Sequence, residues 1–294
     1  MLTVMEATGN IGSKLADQLL VKNRRVKVIG CSADRLQPFV DRGATAAVGD
    51  AGDSDFLSIA FSGSKAVFAM IPPDYAAQDF RQYQNEIGRQ IATAIENTGV
   101  SHVVNLSSHG AYLSDKTGSS KELRDQEQRL NQLDAVHILH LRPMFFMENM
   151  QMNIDMIKNM GINGGHIRGD LPFAMIATED IAEVAAQHLL EPNFSGKTVR
   201  ELLGPRDISM EEVTRIIGEK IGKPDLPYVH FSREKYINGL LQAGLAKDMA
   251  EQLAELDAGI NDRLFGSGEP RTQENRTSTD FKQFADFFAQ VYKS

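Results

Sequence analysis

Only one cysteine, Cys31, occurs in 294 residues, which excludes an internal disulfide and any metal site built on several thiolates. Its plain role is that of a small core or loop residue. Clustered lysine and arginine are missing too. With a net charge of −8 at pH 7 and a pI near 5.4, the chain lacks the basic face that a phosphate backbone requires, so no nucleic-acid surface is expected. No apolar run approaches the roughly 20 residues needed to span a bilayer, and no charged-then-apolar leader opens the chain. A cytoplasmic protein with no membrane partner is the expectation. The sequence also has no internal repeat and no low-complexity segment. What remains, 42% hydrophobic and 24% charged residues, is the composition of an ordinary globular protein. The length suffices for one large domain with a smaller appendage.

The stretch that organises the chain is Ala7-Thr8-Gly9-Asn10-Ile11-Gly12-Ser13-Lys14-Leu15. It follows the apolar run Leu2 to Met5 and leads into Ile11, Leu15, Leu19 and Leu20 at helical spacing, which reads as strand, glycine turn and helix. Such a turn is the layout of a dinucleotide site, because small residues admit a pyrophosphate to the backbone and the new helix presents free N–H groups to its charge. Glu6 stands where such a loop normally carries its first glycine.

A βα rhythm continues through the first half. Strands are predicted at Arg25 to Gly30, Ala44 to Val48, Lys65 to Ile71, Val100 to Leu106 and Val136 to Leu141. Helices are predicted from Ser32, from Asp53, over Tyr83 to Asn97, and from a capping box at Ser119-Ser120-Lys121-Glu122 to about Leu133. Strands alternating with helices imply an α/β, Rossmann-type, doubly wound parallel sheet whose loops gather on one rim. Residues 1–150 read as the dinucleotide-binding domain, with 176–204 returning to it. Residues 151–294 read as a smaller, mainly helical substrate or lid domain, with helices at Glu179 to Leu190 (capped by Thr178), from Ser209, between Ser232 and Ile260, and near Thr279 to Tyr292.

Ordered landmarks span nearly the whole chain: Ala-Thr-Gly-Asn-Ile-Gly at 7–12, Gly49-Asp50, Pro72-Pro73, His102 to Ser108, Leu141-Arg142-Pro143-Met144-Phe145-Phe146-Met147-Glu148-Asn149, Glu179-Asp180-Ile181-Ala182, Gly204-Pro205 and Pro270-Arg271-Thr272. In order and spacing they resemble the NmrA-like family of atypical short-chain dehydrogenases/reductases. The resemblance implies a Rossmann-type domain binding NAD(P), with a smaller C-terminal domain closing over the nicotinamide end. By matching positions, Thr8, Gly9, Asn10, Ile11 and Gly12 hold the pyrophosphate, Asp50 and Ala51 meet the adenine, and Ile71 and Pro72 flank the ribose. Ser107, Ser108, Pro143, Phe145 and Phe146 surround the nicotinamide. Cofactor choice falls at Gly30-Cys31-Ser32, which offers neither an acid nor an arginine; Arg35, one turn later, tilts the expectation to NADP.

Members of that superfamily usually use a tyrosine acid with a lysine four residues on. Tyr112 and Lys116 have the spacing but sit in a predicted loop, and where the pair is expected the chain carries Ser119 and Leu123. Lys121 is a candidate substitute for the lysine, and His109, on the ligand rim, a candidate proton donor. The order Ser107, His109, Asp115 is too local for a hydrolase triad, and His137 and His140 project to opposite faces of a strand, so no metal site is expected. Met144, Met147, Met150, Met152, Met156 and Met160 read as an adaptable apolar wall. The sequence reading is an NAD(P)H-dependent oxidoreductase acting on a small apolar carbonyl or quinone-like compound. The alternative is a non-catalytic NAD(P) redox sensor that regulates a protein partner.

Overall fold

Apolar strands buried on both faces need helices above and below them, and the alternation in the first half supplies both. The computed structural model describes residues 1–265 and 270–294. β1 (Leu2–Val4) is followed by α1 (Asn10–Val21), β2 (Val26–Gly30), α2 (Ala33–Val40), β3 (Thr45–Val48), α3 (Ser54–Phe61), β4 (Ala66–Ala69), α4 (Phe80–Thr98), β5 (His102–Leu106), α5 (Lys121–Asn131) and β6 (His137–Pro143). Then come β7 (Phe145–Phe146), α6 (Ile154–Met160), β8 (Asn163–Gly165), β9 (Phe173–Ile176), α7 (Thr178–Leu190) and β10 (Lys197–Leu202). The chain ends with β11 (Asp207–Ile208), α8 (Met210–Ile221), β12 (Tyr228–His230), α9 (Arg233–Gln242), α10 (Lys247–Asn261) and α11 (Phe281–Lys293).

Seven strands form one sheet in the order β10-β6-β5-β4-β1-β2-β3, and every pairing in it is parallel. This is the Rossmann-type doubly wound sheet, and its order reverses between β1 and β4, the place where open α/β sheets bind ligands. Two cores flank it. Leu15 and Leu19 of α1 pack with Leu36 of α2 and with Ile181, Ala185 and Leu189 of α7 on one face. Leu57 and Phe61 of α3, Ile91 and Ile95 of α4, and Leu130 of α5 fill the other. Within the returning segment 176–204, β10 lies at the edge of this sheet beside β6.

A third core, with Met144, Ile157, Met175, Ile217, Phe284 and Phe288 among its members, fills the smaller part of the chain. That part is less purely helical than its sequence reads, since β7, β9 and β11 form a three-stranded sheet and β8 pairs with β12. Gly204 ties the tail landmarks together in space. A Cβ at Gly204 would stand 1.8 Å from the Met175 carbonyl oxygen, while Arg271 donates from Nε to the Gly204 carbonyl at 2.7 Å and pairs with Asp207 at 2.5 Å.

Two predicted caps are replaced. Ser32, Asp53 and Ser209 cap the helices that start there, but the capping box predicted from Ser119 does not form: α5 starts one residue later, with Ser120 at the cap position and its hydroxyl engaged with Ser108 Oγ at 2.9 Å, so α5 has no side-chain cap. Thr178 is itself the capped residue: its N–H donates to both Glu148 carboxylate oxygens at 3.1 Å, and Lys14 of α1 pairs with the same carboxylate at 3.0 Å. Glu148 is thereby a structural tie between α1 and α7. Among the described residues, no helix is long and apolar enough to cross a membrane.

Candidate active site

The glycine turn is strained at the residue that breaks its pattern. Glu6 adopts φ 51°, in the left-handed region that costs a side chain roughly 1–2 kcal/mol. Its carbonyl accepts from the Gly9 N–H at 2.9 Å. A Cβ on Gly12 would lie 2.0 Å from that same oxygen, so only glycine lets α1 seat against the end of β1. Gly9 begins α1 with no side-chain cap and no acid in the first turn, which leaves free N–H donors and the positive end of the helix dipole at the rim. Burial pushes the Glu6 carboxyl above the usual carboxylate range, with the Arg35 guanidinium opposing. Arg35 also donates from Nη2 to the Thr8 carbonyl at 2.8 Å, so it stands on the loop.

The remaining rim residues line up behind this turn. Cys31 is exposed after β2, and Ser32 accepts from the Arg35 N–H at 3.4 Å. Asp50 accepts from the Gly52 N–H at 2.8 Å, and Ala51 packs against the core beneath α4. Ile71 is buried, and the Pro72 carbonyl accepts from Gln84 Nε2 at 3.1 Å. Being the carboxyl ends of neighbouring parallel strands, these loops share one rim.

Beside the ends of β4, β5 and β6 opens a cavity of about 870 Å³, well sized for a small-molecule ligand. Ser107, Ser108, His109, Pro143, Phe145 and Phe146 form its sheet-side wall. Phe145 packs toward the smaller core and Phe146 toward the sheet core, so β7 joins the two. Of the predicted methionine wall, Met144, Met150, Met152, Met156 and Met160 line the cavity. Met147 does not; it is buried in the smaller core.

A chain of ion pairs supports this wall. Arg142 holds Glu127 with two hydrogen bonds, 2.9 Å from Nε and 2.6 Å from Nη2, and Ser107 Oγ donates to the same carboxylate. Burial alone would raise the Glu127 carboxyl, but Arg142, His140 and Ser107 together hold it below its ordinary range. Arg142 also approaches Glu201 at 3.6 Å, and Glu201 hydrogen-bonds His109 Nδ1. His109 is only 2% exposed, and its Nε2 has no partner among the described residues. His109 is thus held at one ring nitrogen by a carboxylate, with its other nitrogen buried and unpartnered among the described residues, in the lining of the cavity.

Neither Tyr112 nor Lys121 joins it. The Tyr112 hydroxyl donates to the Leu264 carbonyl at 2.6 Å, and Lys121 Nζ donates to both Glu255 oxygens of α10 at 2.7 and 3.0 Å. Neither lines the cavity, whereas Ser119 and Leu123 do. His137 and His140 are structural. His137 Nδ1 accepts from the Gly196 N–H at 3.0 Å; His140, pushed down to about 4 by burial, bonds Asn105 and Asn131. Sequence reasoning missed Glu127, Glu201 and, on the α9–α10 side of the cavity, Tyr236 and Asp257. Only Arg142, inside a recognisable motif, pointed toward the first two.

A family model described as the NmrA-like family matches residues 1–266. Among solved structures, the chain is similar to an NADPH-dependent quinone oxidoreductase from Escherichia coli complexed with NADPH, at 22% identity, 98% coverage of this chain, 99% of that chain and a TM-score of 0.81. It is similar also to the Citrobacter sp. triphenylmethane reductase complexed with NADP(H), at 19% identity, coverage of 98% and 100%, and a TM-score of 0.82. Among curated proteins, Prestalk A differentiation protein A of Dictyostelium discoideum is 30% identical over 119 residues, a match that spans 40% of this chain and 38% of that relative's length. The glycine turn, the reversal of strand order beside it and the match along nearly the whole chain agree: the chain belongs to the NmrA-like family.

Proposed function

We propose that this protein is an NADP(H)-dependent reductase of a flat, largely apolar carbonyl or quinone-like compound. One observation carries the reading: His109, tied at Nδ1 to Glu201 and left with a buried, unpartnered Nε2 among the described residues, is one of the residues lining a large apolar cavity that adjoins a dinucleotide-type turn. The two similar solved structures, a quinone oxidoreductase and a triphenylmethane reductase, support it.

The residues fit the cofactor. Among Thr8 to Gly12, the uncapped first-turn N–H groups from Asn10 to Gly12 suit a pyrophosphate. Asp50, Ala51, Ile71 and Pro72 would flank the adenosine half, with Cys31 beside it, and Arg35 supplies a cation for the phosphate that distinguishes NADP from NAD. Ser107, Ser108, Pro143 and Phe145 would hold the nicotinamide, which supplies a hydride when bound. In this scheme Phe145, Phe146 and the methionines exclude water and hold the acceptor flat. His109 Nε2–H gives a proton to the acceptor oxygen as negative charge develops there, and Glu201 steadies the resulting change in charge on the ring.

Nicotinamide fluorescence tests the binding directly, without tryptophan background, since the chain has none. NADPH is expected to bind more tightly than NADH, and NADPH is consumed with a panel of naphthoquinones and aryl aldehydes. His109→Ala should lower kcat for the aldehydes about 100-fold while leaving the Kd for NADPH unchanged. NADPH binding without turnover of any acceptor would favour the redox-sensor reading, in which a protein partner replaces the substrate. No binding of either nucleotide at millimolar concentration sinks both.

Glu6→Gly isolates the turn. It removes the left-handed strain, which stabilises the fold, and a carboxyl group next to the pyrophosphate site, so NADPH is expected to bind about tenfold more tightly, as loss of one like-charge contact of about 1.4 kcal/mol implies. Equal or weaker binding would show that Glu6, held near Arg35, takes part in the loop.

A further inference from the structure

The reductase reading uses only one polar point of the cavity, and the smaller part of the chain supplies another. Asp257 of α10 and Tyr236 of α9 both line the cavity. Asp257 is 6% exposed in all, and its side-chain hydrogen bond is with Tyr236. The groups around the pair are already engaged. Tyr228 donates to the Ile167 carbonyl at 2.6 Å, and the His166 ring stacks on Tyr236 at 6.0 Å with its Nδ1 on the Phe231 carbonyl at 3.0 Å. No cation pairs with Asp257 among the described residues. A carboxyl placed in an apolar cavity with only a phenol for company is costly to keep unless something else hydrogen-bonds it.

The segment carrying His109 and the helix carrying Asp257 converge on one ring. A Cβ on Gly110 would stand 2.6 Å from Phe265, and one on Gly259 would stand 2.4 Å from its other side. Phe265 lines the cavity between them.

We propose that Tyr236 and Asp257 form a second oxygen-recognition point, which binds a carbonyl or phenolic oxygen on the far side of an aromatic acceptor whose first oxygen meets His109. This rests on the reductase reading and narrows its substrate class: flat aromatics bearing two oxygens, such as quinones and hydroxyaryl carbonyls, over monofunctional carbonyls. Tyr236 hydrogen-bonds the Asp257 carboxyl, and a carboxyl group has more hydrogen-bonding positions than one phenol fills, which the ligand oxygen would take. Burial pushes the Asp257 carboxyl up to about 7, so near neutral pH it has a proton to donate to a ligand carbonyl. The same burial disfavours any acceptor that carries a carboxylate at this end.

Calorimetric binding of 1,5-dihydroxynaphthalene, with 1-methylnaphthalene as the oxygen-free comparison, tests this without turnover. Asp257→Leu is expected to weaken the diol about tenfold, the effect of one buried hydrogen bond, and to leave methylnaphthalene unchanged. Asp257→Asn, which keeps a donor and an acceptor of the same shape, should restore diol affinity to within about threefold of the parent. Melting curves of each variant establish that it is folded. Equal weakening of both ligands by Asp257→Leu, or of neither, overturns the proposal, as does failure of the parent protein to bind the diol at millimolar concentration. NADPH binding and consumption are measured separately, so loss of the reductase reading shows itself independently of this one.

Discussion

Gly12→Ala should abolish NADPH binding and destabilise the protein by about 3 kcal/mol, the upper end of the usual cost of an overpacked site. The added methyl would stand 2.0 Å from the Glu6 carbonyl oxygen, 2.6 Å from its carbon and 2.9 Å from the Met5 oxygen. All three are backbone atoms, so no side chain can swing aside. Nor is the turn free to retreat, because Glu6 is already at φ 51° and its carbonyl is held by the Gly9 N–H. Relief must come from α1 moving off the strand end, which carries the free N–H groups of its first turn away from the rim. Gly9→Ala is the control: its Cβ would stand 3.3 Å from the same oxygen, a contact that yields with a small shift. Urea unfolding and a nicotinamide titration of both variants check this. If Gly12→Ala binds NADPH as the parent does, the turn is not the phosphate site.

The second large effect is a loss of stability as pH rises. Burial raises Asp257 to about 7 from 3.8, against the lowering hydrogen bond of Tyr236. Burial likewise raises Glu122 to about 7 from 4.5; this group is 2% exposed and neither carboxyl oxygen has a partner among the described residues. Below pH 4 both groups carry protons in the folded and the unfolded chain, and they contribute no pH dependence. Between pH 4 and 7 the unfolded chain releases those protons while the folded protein keeps them, so the unfolded state gains and stability falls. Above pH 7 the loss is complete. At about 1.4 kcal/mol for each unit of difference, Asp257 accounts for on the order of 4 kcal/mol and Glu122 for about 3. Both groups are buried, so solvent screening removes little of this. Asp257→Asn takes away the ionisation and should shrink the difference in unfolding free energy between pH 5 and pH 8 by about 2.5 kcal/mol, the part of the effect that falls inside that window, chiefly by raising stability at pH 8. Glu122→Gln should act the same way and by a similar amount, about 2.5 kcal/mol. Urea titrations at both pH values measure it, and an unaltered pH dependence in Asp257→Asn would show the carboxyl ionised in the folded protein.

Asp257 also marks where sequence reading stops. It lies in an ordinary amphipathic helix, and nothing in the pattern of α10 distinguishes it from an exposed acid. Its burial comes from α9 and the cavity wall closing over it. Ser120 and Thr178 show the same limit nearer the backbone. Both stand where a cap belongs, but Ser120 is drawn to Ser108, 12 residues away, and Thr178 to Glu148, 30 residues away. Tyr112 and Lys121 were candidates on their position along the chain, and Leu264 and Glu255 hold them off the cavity. His109 was visible as a rim histidine, but its partner Glu201 lies 92 residues on. It arrives only because β10 pairs with β6 and sets Glu201 opposite Arg142.

By itself, then, the sequence determined most strands of the large sheet, most helix starts, the doubly wound arrangement, the glycine turn with its anomalous Glu6, and the family. Each of these is written in short-range periodicity, in capping and turn chemistry, or in the order of motifs along the chain. The tertiary structure alone decided which polar groups meet: Arg142 with Glu127 and Glu201, Glu201 with His109, and Tyr236 with Asp257. Those meetings are set by sheet register and by helices closing over a cavity. A local pattern tells how each segment is built, and only the packed chain brings distant side chains within hydrogen-bonding reach.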